Sequence, residues 1–130
     1  MELEVKQFTE AVGAIYPDVE HSMYVQFRQF FKRQSVFLLG GKFLIVKISR
    51  TEKPFWGIAK RYIDILNNYD DFHLVLLTSY NDGYCFSKNE INKSIENKKW
   101  GLSKDQYKIN PPLPDQNSFC SIESFKKQTE

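Results

Sequence analysis

The sequence predicts an α/β domain built on a mixed sheet, and three features of the chain carry that prediction. Gly40-Gly41 separates two apolar runs, residues 36–39 and 43–46, as the turn of a hairpin does. Residues 72–78 form a second nearly continuous apolar run, as expected of a strand covered on both faces. Between them, residues 54–69 follow helical spacing, and a helix joining two buried strands makes them parallel through a right-handed crossover. The chain has 130 residues, 42% hydrophobic and 26% charged, a balance that fits one core under a solvated surface.

Residues 2–15 place Val5, Phe8, Val12 and Ile15 three or four apart, with Glu2, Glu4 and Glu10 biased toward the start, the pattern of an amphipathic helix. Pro17 ends it by disfavouring helical geometry at Tyr16. Residues 22–32 fit two periods: Met23, Val25, Phe27 and Phe31 alternate as in a strand, whereas Met23, Phe27 and Phe30 would line a helix. Their aromatic content and lack of alanine favour the strand. The arm from 42 to 49 is apolar on both faces and is expected to be central. Pro54 suits a first helical position, with Phe55, Ile58, Ala59, Tyr62, Leu66 and Tyr69 on one side and Gly57 costing roughly 1 kcal/mol.

Asn81-Asp82-Gly83 reads as a turn into a short strand at 84–86. Ser87-Lys88-Asn89-Glu90 fits a capping box opening a helix with Ile91 and Ile95 inward, closed by Trp100-Gly101. Residues 106–109 are expected as an edge strand. Pro111, Pro112 and Pro114 lack backbone donors and imply an extended path, after which Phe119, Ile122 and Phe125 dock a last short helix. The domain is therefore placed at residues 1–110, with 111–130 as a Pro-rich segment packed on it or trailing from it.

Composition narrows the function classes without choosing one. No apolar run approaches the roughly 20 residues of a membrane-spanning helix. The first six residues carry two acids and no apolar stretch, unlike a secretory leader, so the cytoplasm is the expected compartment. Cys85 and Cys120 form no CxxC pair and are expected as small buried hydrophobes rather than a disulfide. The formal net charge is only +2, but its distribution is uneven. Residues 35–69 hold Lys42, Lys47, Arg50, Lys53, Lys60 and Arg61 against Glu52 and Asp64, and residues 87–108 hold six lysines against three acids. Two such segments on one face would attract a polyanion through counterion release; facing apart, they would simply solubilise the chain.

The stretch from Arg50 to Gly57 is expected to join the end of a central strand to a helix N-terminus, a place where open α/β sheets bind ligands. Amide donors there, with Arg50 and Lys53, would hold phosphate; Lys60 and Arg61 extend the cationic segment, and Trp56 would stack on a base. The plainer alternative caps the helix with Thr51, packs Phe55 and Trp56 beneath the sheet and pairs Arg50 with Glu52. His21 and His73 have no spacing that supports acid and base roles. His73 reads as a satisfied structural residue, and Asp70-Asp71 as a polar connection.

The order helix, strand, hairpin, helix, strand over residues 2–78 resembles the common core of the PD-(D/E)xK restriction-endonuclease-like superfamily. In that family an acid and a lysine two apart on one strand, with a further acid nearby, bind divalent metal and orient water at a phosphodiester. In Leu44-Ile45-Val46-Lys47-Ile48-Ser49 the lysine is matched by Lys47, while Ile45 stands at the acid's place. The resemblance thus implies a nucleic-acid-binding core with Lys47 in the catalytic position. If it cuts, it does so as a metal-dependent nuclease with relocated acids, Asp18 and Glu20 first among them, holding Mg2+ or Mn2+. DNA or RNA is the partner expected on this reading. The alternative is a non-catalytic interaction module, such as an immunity protein, an inhibitor or a subunit of a defence or phage system, which would present aromatic surface to a protein partner or a second copy of itself.

Overall fold

The computed structural model describes residues 1–31 and 35–130. The chain forms α1 (Leu3–Val12), α2 (Tyr24–Phe30), β1 (Val36–Leu39), β2 (Lys42–Ile48), β3 (Trp56–Ala59), α3 (Lys60–Leu66), β4 (Phe72–Ser79), β5 (Asp82–Ser87), α4 (Lys88–Glu96), β6 (Gly101–Ser103), β7 (Gln106–Ile109), β8 (Ser118–Phe119) and α5 (Ile122–Gln128). Five strands make the main sheet in the order β1-β2-β4-β5-β8, and three make a second sheet in the order β3-β7-β6. This is an α/β fold with a mixed main sheet: β2 and β4 run parallel, and its other pairs are antiparallel.

Period-two alternation sends the two faces of β2 and β4 into separate cores. Leu44, Val46, Val75 and Leu77 meet Val5, Phe8 and Val12 of α1 and Phe125 of α5. Burying each of those large side chains stabilises by roughly 1.5–3 kcal/mol. On the opposite face, Phe43, Ile45, Leu74 and Leu76 meet Phe27, Tyr62, Leu66 and Ile91, and the second sheet adds Trp56, Ile58, Tyr107 and Ile109. The Gly40-Gly41 turn holds Gly40 at φ +59°, which glycine adopts without steric cost. Ser87 and Glu90 form the expected capping box at the start of α4.

Two segments depart from the sequence expectation. Residues 24–30 are helical, because Phe27 and Phe31 face the core four apart while Val25, which a strand would have buried, is 68% exposed. Residue 32, the end of that expected strand, lies outside the described residues. Residues 56–59 form β3 rather than the first turn of a helix: Trp56 and Ile58 are buried, Gly57 and Ala59 are half-buried, and the helix starts at Lys60. Ile58 satisfies either period, and pairing with β7 decides between them.

Smaller corrections follow the same logic. The β4–β5 turn is Tyr80-Asn81, one position before the one expected. The strand β7 is the centre of its sheet and not an edge. After the three prolines, β8 pairs with β5 and α5 packs on α1, with the Lys42 ammonium donating to the Thr129 carbonyl, so 118–129 is integrated into the fold. Both cysteines are free thiols, but only Cys85 is buried and Cys120 is exposed.

Candidate functional site

Lys47 sits near the C-terminal end of β2, and alternation turns its side chain to the side of Phe43 and Ile45. There the core ends against the second sheet and leaves a hollow of about 540 Å3, lined among others by Lys47, Arg61, Gln106, Ile45, Ile58 and Tyr62. A second hollow of about 320 Å3 shares Lys47, Gly57 and Gln106 with the first and adds Lys108 and Arg50. The two therefore meet across Lys47.

Local structure explains why the space is open and why its rim is cationic. The β3 residues that line it are Gly57, Ile58 and Ala59, so two of the three carry almost no side chain. A Cβ at Gly57 would stand 2.7 Å from Gln106 Oε1. That oxygen accepts from Lys108 Nζ at 3.0 Å, which fixes the ammonium beside the hollow. Arg61 donates to the Phe30 carbonyl at 3.2 Å, and its guanidinium lies 5.4 Å from the Tyr62 ring centroid. Among the described residues, Lys47, Arg61 and Lys108 enter no ion pair. Among the described residues, Glu2 is the one acid lining either hollow.

The other cations named from sequence are engaged or dispersed. Arg50 is clamped to Glu4 of α1, with Nε to Oε2 at 2.8 Å and Nη2 to Oε1 at 2.6 Å. That pairing holds the Glu4 carboxyl down at about 2. The partner is thus Glu4 and not the neighbouring Glu52. Lys60 pairs with Asp64 at 2.6 Å, and Lys53 is exposed on the loop and lines neither hollow.

The expected phosphate cradle at residues 50–57 is corrected, since the loop enters a strand and offers no helix N-terminus. Ser49 Oγ accepts from the Phe55 amide at 3.2 Å and bonds Thr51 Oγ1 at 3.1 Å, which closes the loop on itself. The stacking role for Trp56 is corrected as well. The residue is 2% exposed, its indole donates to the Leu77 carbonyl at 3.1 Å, and its ring packs edge-on against Tyr84. Phe55, expected beneath the sheet, is 53% exposed.

Asp18 and Glu20, the acids proposed to replace Ile45, line neither hollow beside Lys47. Asp18 and Glu20 occupy the exposed loop before α2, where Asp18 Oδ1 accepts from the Glu20 amide at 3.1 Å. His21 and Met23, which follow them, line a hollow with Gly41 and Phe43 at the start of β2. Lys47 is four residues further along that strand, roughly 13 Å away. Among the described residues no three His, Cys, Asp or Glu converge to hold a metal ion. Ile45 itself is 1% exposed, so a carboxylate there would be a buried charge.

His73 is buried on β4, but its Nδ1 has no hydrogen-bond partner and stands 3.7 Å from Asp71 Oδ1, so it is not the satisfied residue expected. Burial holds its pKa below the ordinary value. His21 accepts from the Met23 amide through Nδ1 at 3.0 Å. No sequence pattern singles out Gln106, Lys108 or Tyr62 as site residues. Only the six lysines of 87–108 hinted at Lys108.

The comparisons with known proteins return no match, whether to a family model, a curated protein or a solved structure. The chain places an additional helix, α2, ahead of its three strands β1, β2 and β3, and β3 lies in a separate sheet. No helix among the described residues is long and apolar enough to cross a membrane.

Proposed function

We propose that the protein binds the phosphate backbone of nucleic acid through the double hollow around Lys47, with Arg61 and Lys108 as the other contacting cations. The observation that carries the reading is the convergence of three cations, none of them in an ion pair among the described residues, on one concave surface. A net charge of +2 would not draw a polyanion by itself, so the local concentration of charge matters. Phosphate neutralises cations that have no carboxylate to release first, which is not true of Arg50 or Lys60. The reading is binding rather than hydrolysis, since among the described residues Glu2 is the one acid lining either hollow, and Asp18 and Glu20 line neither.

The test is anisotropy of a labelled oligonucleotide at about 50 mM and about 200 mM salt, for the parent and a Lys47→Ala/Arg61→Ala double variant. Salt-sensitive binding is expected, with affinity lost in the double variant while its circular dichroism is retained. Undetectable binding at the lower salt, or equal binding by the variant, overturns the proposal. A plasmid-nicking assay with Mg2+ and Mn2+ checks for cleavage.

A second reading, docking of a protein partner, draws on the exposed Ile15, which lines the hollow at the other end of β2, and on Val19 and Val25, exposed in the segment that follows it. A Val19→Asp/Val25→Asp variant separates the two. It should leave oligonucleotide binding intact under the first reading and abolish association under the second.

A further inference from the structure

We infer that the larger hollow receives a single unpaired nucleotide, so that the protein selects single-stranded over duplex nucleic acid; this rests on the phosphate-binding reading above. At about 540 Å3 the hollow lies in the range of pockets that enclose a small molecule. A phosphate on a duplex ridge would touch the cations at its rim and leave the interior unfilled. The interior is suited to a base. Ile45, Ile58 and Tyr62 supply apolar walls, and Gln106 offers an amide for hydrogen bonding. Arg61 supplies a planar cation held in place by the Phe30 carbonyl and the Tyr62 ring. Bases stack on such guanidinium planes, and an anchored one loses little freedom when they do.

Lys47 lies where the two hollows meet, so a phosphate bound there leaves one flanking nucleoside facing the larger space and directs the chain toward Lys108 in the smaller. A duplex delivers a base into the hollow only by unstacking it, at a cost that an unpaired strand does not incur. The expected consequence is an affinity for single strands about ten- to hundredfold above that for a duplex of the same sequence.

Three measurements test this. Anisotropy compares a single-stranded oligodeoxynucleotide, its RNA counterpart and the matching duplex at fixed salt. Competition compares a nucleoside 5′-monophosphate with inorganic phosphate. An Ala59→Leu variant fills the hollow without altering any charge.

Preference for either single strand, displacement by the nucleoside monophosphate at much lower concentration than by phosphate, and loss of the preference in Ala59→Leu are the results expected. Equal or tighter duplex binding, or equal competition by phosphate, overturns this inference and leaves backbone binding standing. Binding to none of the three nucleic acids overturns the phosphate-binding reading and this one with it. Should Ala59→Leu fail to fold, the competition arm still decides.

Discussion

Replacing Trp56 by phenylalanine separates a structural indole from a ligand-stacking one. The indole donates to the Leu77 carbonyl at 3.1 Å, and the Ser49 amide donates to the same oxygen at 3.0 Å. Removing the indole N–H therefore leaves that carbonyl with a partner. The loss is one net hydrogen bond of about 1 kcal/mol, without the larger penalty of an orphaned acceptor. The missing ring atoms leave a cavity at the junction of the two sheets, where Trp56 is 2% exposed, and add about 1–2 kcal/mol. The sum, roughly 2–3 kcal/mol, should lower Tm by roughly 6–15 °C for a chain of this size. Urea unfolding should show a lower midpoint at an unchanged slope. Oligonucleotide affinity of the folded variant should equal that of the parent. A variant as stable as the parent but weakened in nucleic-acid binding would refute the placement of the indole in the core.

Three further outcomes follow from individual contacts. Because Arg50 holds the Glu4 carboxyl at about 2 against an ordinary 4.5, the stabilisation from that pairing is present above the ordinary value and is lost as pH falls toward 2. Glu4→Gln should therefore be less stable than the parent near neutrality, with the two Tm curves converging at the acid end. Burial pushes the Cys85 thiol up to about 12, while Cys120 is exposed, so a thiol reagent should label one cysteine in the native protein and both in denaturant. A Cβ at Gly83 would lie 2.0 Å from the Leu76 carbonyl oxygen, so Gly83→Ala should cost about 2–4 kcal/mol in urea unfolding. The control is Gly101→Ala, where a Cβ meets nothing within 4 Å; it should change stability by less than about 0.5 kcal/mol.

What could be read from the sequence was set by whether a segment obeys one period or two. The elements β2, β4 and the capping box at Ser87 each follow a single local rule, and each stands where that rule puts it; α1 keeps its apolar face but stops at Val12, where Gly13 turns left-handed at φ +81°, so Ile15 leaves the expected helix and pairs with Leu38 instead. Residues 22–32 and 54–59 obey two rules at once, and long-range packing chooses between them. Val25 is released to solvent so that Phe27 and Phe31 face inward, and Ile58 is held in a strand by Tyr107, forty-nine residues away. The candidate site fails or survives along the same line. Roles for Arg50 and Trp56 were inferred from what the loop at 50–57 would enter. That outlet is set by β7, and a carboxylate 46 residues upstream engages the arginine. Lys47 is placed by β2 alternation, which is local, whereas Arg61 is placed by a helix start that the pairing of β3 with β7 sets back to Lys60. Their meeting in one hollow still requires the second sheet, since it is Gly57 and Ala59 on β3, set back beside Gln106 of β7, that leave the space between them open.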